Sequence, residues 1–124
     1  MKINEIAFSA YPITDVARAR KFYEGVLGLK ATQDQDMGDK GHWIEYDIAS
    51  GTLGLGKYEG WKPTGDGGTV ALEVENFDEA VATIQASGTP IKMGPLETPV
   101  CHMLMVSDPD GNTVIIHKRK PGHH

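Results

Sequence analysis

The sequence predicts an α+β fold: two tandem βαβββ modules forming a curved sheet around a cleft. Three observations lead there. Two helix-forming stretches lie 61 residues apart, about half of the 124-residue chain. Each is flanked by strand-like runs, one before it and three after it. Glycine, at 15 residues, is abundant enough to mark many tight turns between short strands, because it adopts positive φ without steric cost.

The first helix is expected from Asp15 toward Gly28. Val16, Ala19, Phe22, Tyr23, Val26 and Leu27 recur at the spacing of one helical face. The second is expected from Asn76 to Gly88, with Phe77, Ala80, Val81 and Ile84 as its apolar stripe. Asp15 and Asn76 are candidate N-caps, since a side-chain oxygen there accepts from an unpaired first-turn amide. Glu79, three positions after Asn76, adds a capping-box signal. Gly28 and Gly88 suit the left-handed position just past a helix end. Asp15 matches Asn76, Val16 matches Phe77 and Ala19 matches Ala80 at the common offset of 61.

Strands are expected at Ile6–Tyr11, Leu29–Gln33, His42–Ile48 and Thr52–Tyr58 in the first half. Their counterparts are Thr69–Val74, Pro90–Met93, Val100–Val106 and Thr113–Lys118. Glycine, proline and aspartate separate them, most clearly at Gly94-Pro95 and Asp108-Pro109-Asp110-Gly111. The chain is read as a single domain over 1–124, with half-repeats at about 3–59 and 68–118. Residues 60–67 have the composition of a linker, and 119–124 form a tail.

Composition narrows the function. Twelve basic against 17 acidic residues give a net charge of −5, a poor match to phosphate backbones, so no nucleic acid partner is expected. No apolar run reaches the roughly 20 residues of a membrane span, so no membrane partner is expected either. The segment MKINEIAFSAYP lacks the apolar core of a signal peptide. The single cysteine, Cys101, cannot form an internal disulfide, which fits a reducing, cytoplasmic location.

Three motifs, in order and at their spacings, carry a family resemblance. Tyr11-Pro12-Ile13-Thr14-Asp15 leads into Ala19-Arg20-Lys21-Phe22-Tyr23-Glu24-Gly25-Val26-Leu27-Gly28-Leu29. A weaker second copy runs from Val74 to Gly88, and Asp108-Pro109-Asp110-Gly111-Asn112 precedes the last strand. With these, the chain resembles the vicinal oxygen chelate superfamily, which holds glyoxalase I, extradiol dioxygenases and bleomycin-resistance proteins. The resemblance spans Ile6 to Lys118.

Metal enzymes of that superfamily place four ligands, usually His and Glu or Gln, on four strands. The matching positions here are Phe8, Thr69, Ile115 and, within Thr52–Leu55, Gly54. Phe8 and Ile115 offer no donor, Gly54 has no side chain, and Thr69 is at best a weak oxygen ligand. The resemblance therefore implies a protein with no metal and no cofactor. Its ligand-binding cleft would be lined by Phe8, Gly54, Thr69, Ile115 and His117.

Other residues admit two readings. His117, two positions after Ile115, either reaches the rim of the cleft or is an end-of-strand histidine beside Lys118, Arg119 and Lys120. His42 follows a glycine-rich turn and is expected to be exposed. Cys101 and His102 are neighbours on a strand, so their side chains diverge and do not make a nucleophile–base pair. Trp43, Glu45 and Asp47 share a strand face; they form either an aromatic, acidic wall for a cationic ligand or a solvent-facing side. The terminal Gly-His-His is read as a frayed end or tag remnant rather than a metal site.

Two function classes follow. One is a small-molecule carrier or sequestering protein, like the bleomycin-resistance proteins. The other is a lyase, isomerase or dioxygenase with a non-standard site around His42, His102 or His117. The resemblance also implies a homodimer. Its interface is expected to draw on the aromatic segments His42–Tyr46 and Tyr58–Trp61.

Overall fold

A computed structural model describes residues 1–122. The chain separates into two compact units, Met1–Pro63 and one that begins at Thr64. Each is a βαβββ module with its own four-stranded sheet.

The first module comprises β1 (Ser9–Pro12), α1 (Val16–Arg20), β2 (Gln33–Asp36), β3 (His42–Ile48) and β4 (Gly51–Lys57). Its sheet order is β1-β4-β3-β2, with β1 parallel to β4 and the other pairs antiparallel. Asp15 caps α1, its Oδ1 accepting from the Arg18 amide at 2.9 Å. The helix continues as a π turn over Lys21–Val26, where the Leu27 amide reaches back to the Phe22 carbonyl. Phe22 and Tyr23 are both buried there. They meet Tyr11, Ile44, Tyr46, Leu53 and Leu55 in the core. Burying aliphatic side chains such as Ile44 and Leu55 stabilises by roughly 1.5–3 kcal/mol each. Tyr23 stacks on Tyr46 at 6.2 Å, and the Tyr46 hydroxyl donates to Glu24 Oε2 at 2.9 Å. Burial, then that bond, pushes the Tyr46 phenol far above its ordinary range.

The second module comprises β5 (Val70–Glu73), α2 (Phe77–Ser87), β6 (Ile91–Glu97), β7 (Cys101–Ser107) and β8 (Thr113–Arg119), with sheet order β5-β8-β7-β6. Asn76 caps α2 through the Glu79 amide at 3.1 Å, and Gly88 ends it at φ 75°. Ile84 of α2 is buried with Leu104, Val106, Val114 and Ile116. The turn before β8 is closed by Asp108, whose Oδ1 accepts from the Asp110 and Asn112 amides at 2.8 Å.

The registers show the repeat directly. Ala10 pairs with Gly54, and Ala71 pairs with Ile115, both partners displaced by 61 residues. The motif spacing in the sequence therefore has a structural counterpart in the parallel pairs β1–β4 and β5–β8.

Three strands differ from expectation. The N-terminal strand begins at Ser9 rather than Ile6, and Ile6 is exposed. The second lies at Gln33–Asp36 instead of Leu29–Gln33; it is a polar edge strand exposed along its whole length, so no apolar alternation marks it. The strand expected at Pro90–Met93 extends to Glu97, passing through Gly94-Pro95 with two register shifts. An edge strand tolerates glycine and proline that would break a central one.

Candidate functional site

On the first sheet, side chains alternate between the helix-covered core and the opposite face. That opposite face carries Ala10 on β1, Trp43 and Glu45 on β3, and Gly54 and Gly56 on β4. A side chain at Gly54 would put its Cβ 2.5 Å from the Trp43 indole, and one at Gly56 would put it 2.5 Å from the Trp61 ring. The absence of a side chain at each glycine thus leaves the room that the Trp43 and Trp61 rings fill. Tyr58 also lies against Gly56 and closes on Gly41.

The rings form a row. Phe8 meets Trp43 edge-on at 5.3 Å, Trp43 lies 6.5 Å from Tyr58, and Tyr58 lies 6.3 Å from Trp61. Phe8 is 50% exposed and Trp61 37%, large values for such rings. The Trp43 indole N–H donates to Glu45 Oε2 at 2.7 Å, which fixes the ring's rotation. On this strand face Trp43 and Glu45 are half-buried and bonded to each other, whereas Asp47 is exposed and accepts from the Thr52 hydroxyl at 2.9 Å.

Tyr58 and Trp61 continue into a cavity of about 610 Å³ at one end of the same sheet. Ile13, Asp36, Asp39, His42 and Glu59 also line it. His42 is not the exposed residue that its glycine-rich turn suggested: its side chain is 16% accessible and its Nε2 is bound to Asp34 Oδ1. Asp34 also pairs with Arg20, which holds Glu24 at 2.6 Å. The hydrogen bond from His42, helped by Arg20, holds the Asp34 carboxyl below its ordinary range.

The matching face of the second sheet is different. Ile115 and His117 stand where Gly54 and Gly56 stand in the first, beside Met103, Met105, Ala71 and Glu73. His117 Nδ1 lies 2.6 Å from Glu73 Oε1, and the Arg119 amide donates to Glu73 Oε2 at 2.7 Å. Burial works to raise Glu73, but the Arg119 amide and His117 outweigh it and the carboxyl titrates below its ordinary value. His117 thus pairs with the carboxylate of Glu73 on the neighbouring strand β5. Ile115 is half-buried, less enclosed than a core position.

Of the five residues expected to line a cleft, Phe8 and Gly54 both touch Trp43 in the first module. In the second, Ile115 and His117 share a face of β8, while the Thr69 hydroxyl donates to the Thr113 carbonyl at 2.8 Å. The superfamily's metal does not fit these residues. A hydrocarbon ring, a bare glycine and an isoleucine have no donor atom, and the one hydroxyl is already engaged. His102 stacks on Phe77 at 5.5 Å beside a shallow groove, and Cys101 is buried with its sulfur 3.1 Å from the Thr98 hydroxyl. Of the Gly-His-His tail, His123 and His124 lie outside the described residues.

A family model for the glyoxalase/bleomycin resistance protein/dioxygenase superfamily matches residues 2–116. The chain belongs to that superfamily. Among solved structures it is similar to TnmS3, an antibiotic binding protein from Streptomyces sp. CB03234, at 27% identity and a TM-score of 0.81, covering 97% of this chain and 99% of that one. It is also similar to the trypanothione-dependent glyoxalase I of Leishmania major, at 26% identity and a TM-score of 0.77, covering 94% and 87%. A glyoxalase/bleomycin resistance domain from Frankia sp. EAN1pec, at 16% identity, shares the fold at a TM-score of 0.79 over 99% and 97%. No curated protein matches the chain. Superfamily membership accounts for the paired modules and leaves the chemistry to the residues on each face. Among the described residues no helix is long and apolar enough to cross a membrane.

Proposed function

We propose that this superfamily member binds a flat aromatic small molecule against the first module's ring row, without a metal ion, and acts by sequestering or carrying it. The observation that carries this is the room left at two glycines. Gly54 and Gly56 give up side-chain packing so that the Trp43, Tyr58 and Trp61 rings can fill it, with Phe8 and Trp61 still exposed. Exposed rings in a row are costly in water and offer stacking to a planar guest, worth about 0.5–1.5 kcal/mol per ring pair beyond area burial. The antibiotic binding named for the similar Streptomyces protein supports the same reading. We further propose a homodimer in which His42–Tyr46 and Tyr58–Trp61 lie near the subunit contact, and a cytoplasmic location, in keeping with one reduced, buried thiol.

The test is calorimetric titration with N-(4-methylpentyl)-1,8-naphthalimide, a neutral flat probe. Micromolar binding is expected, weakened at least tenfold by Trp43→Ala, or about 1.4 kcal/mol. No binding up to about 1 mM, a Kd equivalent to about −4 kcal/mol, would overturn the proposal. Sedimentation equilibrium tests the dimer: a single species near 13.5 kDa contradicts it. An enzyme with a non-standard site is the alternative, favoured by the His117–Glu73 pair. Turnover of a glyoxalase substrate by metal-stripped protein, abolished by His117→Ala, would establish it instead.

A further inference from the structure

We infer that the open face of the second module's sheet holds a soft monovalent metal ion, copper(I), between the thioethers of Met93, Met103 and Met105 and the Nε2 of His117. The site shares no residue with the aromatic row of the first module. It also differs from the superfamily's four-ligand site, of whose matching positions Ile115 stands beside it only as a hydrocarbon wall.

Strand pairing brings the four donors together. Met93 of β6 stands opposite Met105 of β7, and Met103 of β7 stands opposite His117 of β8. Residues directly opposite in an antiparallel pair share a face, with Cβ atoms about 4.5–5.5 Å apart. Met103 and Met105, two positions apart on one strand, point to that same face. Methionine has three rotatable bonds, so three thioethers can converge on a point that the imidazole also reaches.

The placement of methionine is selective. All three methionines of the second module stand on this face, whereas the covered side of β7 and β8 uses Leu104, Val106, Val114 and Ile116. For packing alone, β-branched and aromatic residues suit a strand surface better. Met93 is 54% exposed, and Met103 and Met105 are half-buried, so an ion from solvent can reach the group. Thioether sulfur is a soft donor that selects copper(I); magnesium and calcium require oxygen donors, and a single imidazole is too little for zinc.

His117 is oriented as a metal ligand must be. Its Nδ1 lies 2.6 Å from Glu73 Oε1, and a carboxylate can only accept, so Nδ1 carries the proton. In the neutral ring Nε2 then keeps its lone pair, and among the described residues no hydrogen bond is made to it. A carboxylate behind a ligating histidine fixes its tautomer and raises its basicity. Glu73 is itself held by the Arg119 amide at 2.7 Å and faces the Arg119 guanidinium at 3.8 Å, which makes it a positioning residue and not a ligand.

Silver(I), which shares the soft preference and undergoes no redox change, is the first probe. Carbon–proton spectra of the full chain labelled at its methionine methyls are titrated with silver nitrate in chloride-free buffer. The Met93, Met103 and Met105 signals should move together and saturate at one equivalent, with Met1 and Met37 unmoved. Copper(I) affinity is then read anaerobically by competition with bicinchoninate, in a full-length His123→Ala/His124→Ala background that removes the terminal imidazoles. Met103→Leu/Met105→Leu, a change of nearly conserved volume, should weaken binding at least tenfold. Glu73→Gln should weaken it about tenfold through His117. Unmoved Met103 and Met105 signals while silver is taken up, or a copper(I) affinity unchanged by the double leucine variant, would overturn the site. An affinity unchanged by Glu73→Gln would overturn the assignment of His117 and its carboxylate to it.

Discussion

The two modules have the same element order and the same sheet order, with β1–β4 and β5–β8 displaced by 61 residues, yet their open sheet faces differ in kind. In the first, β4 presents Gly54 and Gly56, and flat rings cover the vacated surface. In the second, β8 presents Ile115 and His117, and the face is filled by aliphatic, thioether and ion-paired side chains. The inner faces are alike by comparison: Leu53 and Leu55 correspond to Val114 and Ile116, all buried. A duplicated fold thus keeps its packing side and diverges on the side that does not hold the module together. Two glycines at alternate strand positions are enough to turn a packed face into a stacking face.

Exchanging the features of the two faces tests that contrast. The largest effect is expected from Gly54→Leu. The added side chain displaces the Trp43 ring, so probe binding should fall at least tenfold and stability by about 1–3 kcal/mol, read by calorimetry and urea unfolding. The converse change, Ile115→Gly, removes a half-buried side chain and loosens the chain. It should cost about 1–2 kcal/mol of stability while leaving probe affinity within twofold. If both variants weakened the probe equally, the asymmetry between modules would be wrong.

A smaller effect concerns a polar feature that both modules have, a histidine paired with a carboxylate. Asp34 and Glu73 titrate below their ordinary values of 3.8 and 4.5 when folded. A depressed folded pKa means the stabilisation is complete above the unfolded value and is lost as pH falls through the folded one. The urea midpoint should therefore decline below about pH 4.5 from Glu73 and below about 3.8 from Asp34. Glu73→Gln and Asp34→Asn should each flatten that decline; an unaltered acid slope would remove the corresponding pair. The smallest effect is optical. Trp43 and Trp61 are the only tryptophans, and both lie in the first module. Acrylamide should quench mainly the more exposed Trp61, and Trp61→Phe should remove most of the quenching.

Much of this was legible in the sequence because the signals are local. Asp15 and Asn76 cap as their side-chain chemistry requires, the apolar stripes bury Ala19, Phe22, Tyr23 and Ile84 and half-bury the rest, and Asp108 to Asn112 closes a turn through its own carboxylate. Polar edge strands were not legible: Gln33–Asp36 pairs through its backbone and buries no side chain. The site was half visible. Trp43 and Glu45 could be placed on one face by alternation, and Gly54 entered the expected cleft lining only as the counterpart of a metal-ligand position. The pattern Leu53-Gly54-Leu55-Gly56 did hold a signal, since glycines inside a strand mark close approach by another group. What approaches them could not be read, because Tyr58 and Trp61 arrive from a turn whose path depends on the Tyr58–Trp61 bridge. His42 is held by Asp34, which lies on that polar edge strand, so the histidine's partner carries no apolar signal in the sequence.

The central claim is that a flat ligand stacks on the first module's aromatic row. Nitrogen–proton correlation spectra of labelled protein, titrated with the neutral naphthalimide, test it most directly. The indole N–H signals of Trp43 and Trp61 and the amides of Gly54 and Gly56 should shift upfield together and saturate at one Kd, because they lie under the ring current of the stacked probe. Saturable shifts confined to Met103, Met105, Ile115 and His117, with both indoles unmoved, would contradict it.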